Sequence, residues 1–164
     1  MQLQLKKKAG GEPVITFVRD DGSGTSGRLG TGGFGAVHDL THFVVETTLG
    51  LRQGFYGLLA DGWDIPDFAA KGHAARLPDE AIVVECIVGQ LTNAIFAGNV
   101  PAADEFNWLV AEAVRAVRPR AAAPAVSAAV LAAMRQQVDA HLAAWRALPV
   151  GQTLTLAFAP PVRA

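Results

Sequence analysis

Both ends of the chain alternate polar and apolar residues with the two-residue period of a half-buried strand. Residues 2–5 read Gln-Leu-Gln-Leu, residues 14–18 read Val-Ile-Thr-Phe-Val, and residues 153–158 read Thr-Leu-Thr-Leu-Ala-Phe. This alternation predicts strands that place one face on a core and the other in water. The natural neighbours of the last strand are the N-terminal strands, so we expect the sheet to tie the two ends of the chain together.

Helical patterns fill the length between these strands. Segments with glycine and proline separate five predicted helices, at 37–51, 54–60, 79–96, 101–117 and 127–148. A third strand or a loop is expected at 25–29, and segment 61–76 is expected to be the most mobile loop. The chain is therefore predicted to form one α+β domain, residues 1–164. In it a small antiparallel sheet, built from the N-terminal strands and the C-terminal strand, packs against four to five helices.

Composition argues against several classes of protein. Hydrophobic residues make up 51% of the 164 residues and charged residues 18%, so extensive disorder is not expected. The net charge is −1 and the only basic run is Lys6–Lys8, so we expect no nucleic-acid partner. The first residues lack the apolar core of a signal peptide, and no long apolar stretch is free of charge. We therefore expect no membrane span and a cytoplasmic location.

Seven glycines lie between residues 22 and 35. Residues 30–37 are similar to the Gly-x-Gly-x-x-Gly-x-Val phosphate loop of protein kinases. The further lysine, His-Arg-Asp and Asp-Phe-Gly motifs of a kinase are missing, and a helix is predicted where a strand should follow. The alternatives are a hairpin turn with a flexible entry into the first helix, or backbone amides that contribute to a ligand site next to His38.

The most informative motif is His38-Asp39-Leu40-Thr41-His42. Histidines four positions apart on a helix lie about 40° apart around its axis and about 6 Å apart along it, so both rings can reach one divalent metal ion. The pattern resembles the His-Glu-x-x-His zinc helix of the zincin metalloproteases, in which the acid activates water. Here position 39 is the shorter Asp, so the family is not assigned. The alternative is a pair without metal, with His38 capping the helix start and His42 half-buried.

A third metal ligand must come from outside this helix. Glu46 continues the series, but eight residues climb about 12 Å along a helix, which makes Glu46 a neighbour of the site rather than a ligand. The candidates are Glu85, His73 and His141. Glu85 is favoured because it lies within the apolar run 82–88 and needs a partner there, which could equally be Arg52 or Arg115. The single cysteine, Cys86, excludes an intrachain disulfide and is expected to be a core thiol.

Two hypotheses of function follow. The first is a protein with a His-based metal or polar site on the first long helix, which performs metal-assisted hydrolysis if it is an enzyme. His38, His42 and Glu85 would then hold zinc or a similar divalent ion, and Asp39 would be the catalytic residue that orients water. The second is a non-enzymatic binding or assembly module, expected to be a homodimer, with the aromatic segment 55–68 as its contact surface. The partner in either case is an unidentified small molecule or protein.

Overall fold

The structure is a computed structural model that describes residues 1–30 and 33–159, without the side chains of His73 and Ala74. The strands among these residues are β1 (Gln2–Lys6), β2 (Val14–Val18), β3 (Gly24–Arg28) and β4 (Thr153–Ala157). The helices are α1 (Phe34–Leu49), α2 (Phe55–Ala60), α3 (His73–Arg76), α4 (Asp79–Ala97), α5 (Ala103–Val117) and α6 (Ala128–Ala147), and a 3-10 turn spans Ile65–Phe68.

The four strands form one antiparallel sheet in the order β3-β2-β1-β4. Leu3 lies opposite Phe17 on β2 and opposite Leu156 on β4, so the last strand pairs with the first. Leu3, Leu5, Ile15 and Phe17 are buried, whereas the residues that alternate with them on these strands are partly or fully exposed. The predicted α+β architecture, with a small sheet from both chain ends against a helical layer, is confirmed.

Helix α1 is the central helix of that layer and contacts α2, α4 and α6. It begins at Phe34, rather than at Val37 as the sequence pattern suggests. Glycine has a weak helix propensity, so a segment with Gly33 and Gly35 does not look helical in the sequence. The helix ends before Gly50, whose φ of 63° is the left-handed conformation common just after a helix. His38 therefore lies in the second turn, and the expectation that it caps the helix start is wrong.

Helix α4 packs against α1 and α5. Among the described residues it alone has the length and composition to cross a membrane, and 44% of its most apolar window is buried inside the fold. The core helix of a soluble protein meets the same two criteria. The absence of a membrane span stays a prediction, as does the cytoplasmic location.

The glycine-rich segment contributes a strand and the start of a helix. Arg19 and Ser23 close the turn of the β2–β3 hairpin, with the backbone N–H of Arg19 donating to the Ser23 carbonyl at 2.8 Å. Residues 31 and 32 of the kinase-like pattern lie outside the described residues, and Phe34–Val37 belong to α1. The pattern thus leads into a helix, whereas a kinase continues into a strand.

The segment expected to be the most mobile loop, 61–76, contains the 3-10 turn and α3. Asp64 and Asp67 form a capping box at the start of the 3-10 turn, in which the backbone N–H of Asp64 donates to Oδ2 of Asp67 at 2.8 Å. Arg19 reaches this segment from the end of β2, donating to the Trp63 carbonyl and pairing with Asp64 at 2.9 Å. These bonds connect the segment to the sheet.

Candidate metal centre

His38, His42 and Glu85 each offer a ligand atom, and these atoms all lie within 4.8 Å of one another. The two histidine rings come from adjacent turns of α1 and meet edge to face, with 4.7 Å between their centroids. Glu85 comes from α4, and its Oε1 lies 3.3 Å from Nε2 of His42. Imidazole nitrogens and a carboxylate oxygen are ligands that zinc and similar divalent ions accept. The cluster could therefore hold a metal ion.

Glu85 lies within an apolar run of the sequence, and its partner in the structure is His42. The Glu85 side chain stays 47% exposed, so the carboxylate lies at the edge of the α1–α4 contact. The two arginines considered as alternative partners are engaged elsewhere, since Arg52 pairs with Asp61 at 3.1 Å and Arg115 pairs with Glu112. The packing of α1 on α4 thus selects one of the partners that the sequence left open.

Behind His42 lies Glu46, one helical turn further along α1. Nδ1 of His42 donates to Oε1 of Glu46 at 3.2 Å, and both side chains are fully buried. In metal sites such a carboxylate fixes the tautomer and orientation of the ligating imidazole and leaves the other ring nitrogen for the ion. Glu46 is therefore a neighbour of the cluster, as the rise of the helix predicts.

The start of α2 holds Glu46 in place. Its carboxylate accepts the backbone N–H groups of Tyr56, at 3.0 Å, and Gly57, at 3.1 Å. The Tyr56 hydroxyl donates to the backbone carbonyl of Asp39 at 2.6 Å, so one residue is bonded to α1 at two points. A Cβ at position 54 would overlap the Glu46 carboxylate, so glycine at Gly54 is what allows this close approach.

Charges in the cluster make His42 unusually basic. Burial opposes a charge on this ring, but the hydrogen bonds and charges of Glu46 and Glu85 outweigh it and raise the pKa of His42 from 6.5 to about 10. Burial also works against the charged form of Glu85, yet its hydrogen bond to His42 and the two imidazoles lower the pKa of Glu85. Without a metal, His42 at neutral pH is therefore an imidazolium between two carboxylates.

His38 differs from His42 in its charge and in its bonding. Burial, and then the positive charge of His42, lower the pKa of His38, with Glu85 acting in the opposite direction. Nδ1 of His38 is one of two buried polar side-chain atoms without a hydrogen-bond partner among the described residues, and Oγ1 of Thr92 is the other. An imidazole that is neutral and lacks a partner is ready to bind a ligand, because binding displaces neither a proton nor a hydrogen bond.

Asp39, the predicted catalytic residue, lies next to this cluster on α1. Burial is the main cause that raises the pKa of Asp39 to about 6; His42 lowers this pKa and Glu85 raises it. These interactions place its carboxylate within the electrostatic reach of both residues. Its catalytic role stays a prediction.

Of the other two predicted ligands, His141 does not join the cluster. His141 lies on α6 with its ring edge against Phe43, at 5.3 Å between centroids, and the side chain of His73 lies outside the described residues. His42 is fully buried, so the expectation of a half-buried ring is also wrong. Its burial follows from the position of α1 between α2, α4 and α6.

The aromatic segment 55–68 is mostly buried within α2 and is partly or fully exposed from residue 61 onward. Tyr56 is fully buried, and Phe68 packs against Phe55 at 4.5 Å and against Trp63 at 5.3 Å between centroids. Phe55, Trp63 and Phe68 are only partly buried, so the use of this segment as a contact surface stays a prediction. A homodimer stays a prediction.

Two aromatic residues beside the cluster, Phe34 and Phe96, were not predicted from the sequence. Phe34 stacks on the ring of His38, with 5.7 Å between centroids, and Phe96 stacks on Phe34 at 5.6 Å. The spacing of Phe34 and His38, one helical turn apart, could have revealed the first contact. The sequence pattern started α1 too late for Phe34 to be considered.

Comparisons with known proteins do not assign a function to this site. No known protein family matches the chain, and no match was found among curated proteins or solved structures.

Proposed function

We propose that this protein binds one divalent metal ion, zinc or a similar ion, through His38, His42 and Glu85 and uses it for metal-assisted hydrolysis. The observation that carries the proposal is the convergence of these three side chains within 4.8 Å. The buried Glu46 carboxylate behind His42 adds support, because it orients the imidazole for an ion on the opposite side.

The number of ligands favours catalysis over a purely structural role. Structural zinc sites are usually closed by four protein ligands, whereas catalytic sites have three and leave a position for water or substrate. Glu85 is 47% exposed and lies on α4, so the cluster borders solvent at the α1–α4 edge. A substrate can reach an ion there without entering the core.

The chain's own residues have distinct tasks in hydrolysis. A bound divalent ion polarises a carbonyl or phosphoryl oxygen and assists the attack of water. Glu46 would keep the proton on Nδ1 of His42 and leave Nε2 to bind the ion. Asp39, with a pKa of about 6, accepts a proton from water near neutral pH. The water oxygen bonds to the substrate carbon or phosphorus, the bond to the leaving group breaks, and the leaving group takes up the proton.

Metal binding itself is tested with the purified protein. We expect about one zinc per chain by elemental analysis and calorimetry, and stabilisation of about 2.7 kcal/mol at a free zinc concentration a hundred times the Kd. His42→Ala and Glu85→Gln should lose this response, while His141→Ala, a half-buried histidine outside the cluster, should keep it. Absence of stoichiometric zinc, nickel, iron or manganese, together with an unchanged response in His42→Ala, would refute the proposal.

Hydrolysis is tested with zinc-loaded protein and p-nitrophenyl acetate. Loss of a general base slows a reaction by about 10² to 10⁴, so Asp39→Asn should reduce the rate by this factor while the zinc Kd stays the same. Asp104→Asn, an exposed aspartate in the first turn of α5, is the matched control. An Asp39→Asn variant with the full rate would show that another group takes the proton.

A further inference from the structure

Two exposed phenylalanine rings, Phe34 and Phe96, lie beside the metal cluster. Phe34 is 53% exposed and Phe96 is 54% exposed, although each is a large apolar residue. Their planes differ by 9°, and Phe34 is also within 16° of the plane of His38. The three rings thus form a short stack that begins at a residue of the cluster. We call Phe34 and Phe96 the aromatic pair.

Helix geometry connects the aromatic pair to the candidate ligands. Phe34, His38 and His42 follow one another at four-residue intervals and share one face of α1. Phe96 lies eleven residues after Glu85, three helical turns, and therefore on the same face of α4. Since Phe34 contacts Phe96 and His42 contacts Glu85, α1 and α4 run antiparallel. One strip between the two helices therefore leads from the cluster to the aromatic pair.

Along α4, this strip has open space at a position between Glu85 and Phe96. Gly89 lies there on the same face, and a Cβ at this position would meet no atom within 4 Å. A glycine in the interior of a helix weakens it by about 0.5–1 kcal/mol relative to alanine, although alanine would fit here. Position 89 thus leaves room next to the cluster at some cost in helix stability.

We propose that the aromatic pair binds an aromatic group of the substrate while a carbonyl or acidic oxygen of the same molecule binds the metal ion. Exposed ring surface next to the site gains about 25 cal/mol for each Å² that a ligand removes from water, and stacked rings gain further. The Phe34 ring centroid lies 5.7 Å from that of His38, so a small molecule on the aromatic pair is close enough to extend an oxygen to the cluster. The substrate class is therefore a small aryl ester, amide or phosphate. This inference rests on the proposed function, because it names the substrate of the same site.

Two hydroxamates that bind metal in the same way test the proposal on zinc-loaded protein. Acetohydroxamate carries only the metal-binding group, and phenylacetohydroxamate adds a phenyl ring. The phenyl compound should bind the natural chain roughly fivefold to tenfold more tightly, which is the range of a favourable aromatic contact. The ratio of the two Kd values should fall toward one in Phe34→Ala and Phe96→Ala. It should not change in Trp108→Ala, an exposed ring on α5.

The ratio separates recognition of the ring from disturbance of the metal site. If Phe34→Ala only misplaces His38, both hydroxamates weaken equally and the ratio stays as in the natural chain, which contradicts the proposal. A ratio near one in the natural chain also overturns the proposed role of the aromatic pair. If that chain still binds zinc, the proposed function is unaffected. Failure to bind zinc at all overturns the proposed function, and the aryl substrate class falls with it.

Discussion

Oε1 of Glu46 lies 3.2 Å from Nδ1 of His42, and both side chains are fully buried. Charges removed from water stabilise a fold only when their remaining hydrogen-bonding groups also have partners. Glu46 meets this condition through the amides of Tyr56 and Gly57, and His42 meets it through Glu85. The same carboxylate therefore orients the candidate metal ligand and joins α1 to α2.

Replacing the buried Glu46 should destabilise the protein far more than replacing the partly exposed Glu80. Glu46→Ala leaves a buried imidazolium and two buried amides without their acceptor, which costs about 3–5 kcal/mol. Glu80 also accepts a backbone N–H, from Gln53 at 2.6 Å, but at the surface. Glu80→Ala should cost only about 0.5–1.5 kcal/mol. Urea unfolding of both variants measures the difference, and equal losses would contradict the role assigned to Glu46.

Two glycines should respond in opposite ways to alanine. A Cβ at Gly57 would overlap the backbone carbonyl of Arg52, and backbone cannot rotate away as a side chain can. Gly57→Ala should therefore cost at least about 1–3 kcal/mol and disturb the Glu46 contact. Gly89→Ala should gain about 0.5–1 kcal/mol, because its Cβ meets open space within a helix. Thermal unfolding compares the two, and a stable Gly57→Ala would require a different path for α2.

Stability of the metal-free protein should fall as the pH rises above neutrality. The pKa of His42 is raised from 6.5 to about 10 in the fold, so its stabilisation is complete below pH 6.5 and is lost as the pH approaches 10. Chelator-treated natural chain should lose stability over this window, and His42→Gln should show a smaller slope. Work above about pH 7 avoids the titration of Asp39, whose pKa is raised to about 6. Parallel slopes for the two chains would indicate that His42 is neutral.

Zinc binding should release protons from the protein at pH 7.5. The pKa of His42 is about 10, so Nε2 holds a proton that the ion must displace, whereas the lowered pKa of His38 leaves that ring neutral. We expect release of about one to two protons per ion, one from His42 and the rest from water on the zinc ion, whose pKa falls to about 7. Calorimetry in buffers with different ionisation enthalpies measures this number. His38→Ala should bind zinc more weakly and release a similar number. Binding without proton release would place the ion away from Nε2 of His42.

Local patterns in the chain predicted much of the fold. The alternation of residues 2–5 and 153–158 was enough to predict two strands. Successive side chains of any strand point to opposite faces, so this pattern can be read without knowing the rest of the fold. The start of α1 was misplaced because Gly33 and Gly35 give no helical signal there, although Phe34 in the extra turn stacks on Phe96 of α4.

His38 and His42 could be paired from spacing alone, since the pitch of a helix is the same in every protein. The same helix geometry showed that Glu46 lies too far along α1 from His38 for both to bind one ion. Whether Glu85, His73 or His141 joins them depends on which helix packs on which, and the packing of α4 on α1 brings Glu85 to His42. The charge of His42, the bonds of α2 to Glu46 and the stacking of Phe96 on Phe34 likewise arise between segments distant in the chain. No local pattern encodes them, because burial and contact between distant residues exist only in the folded protein.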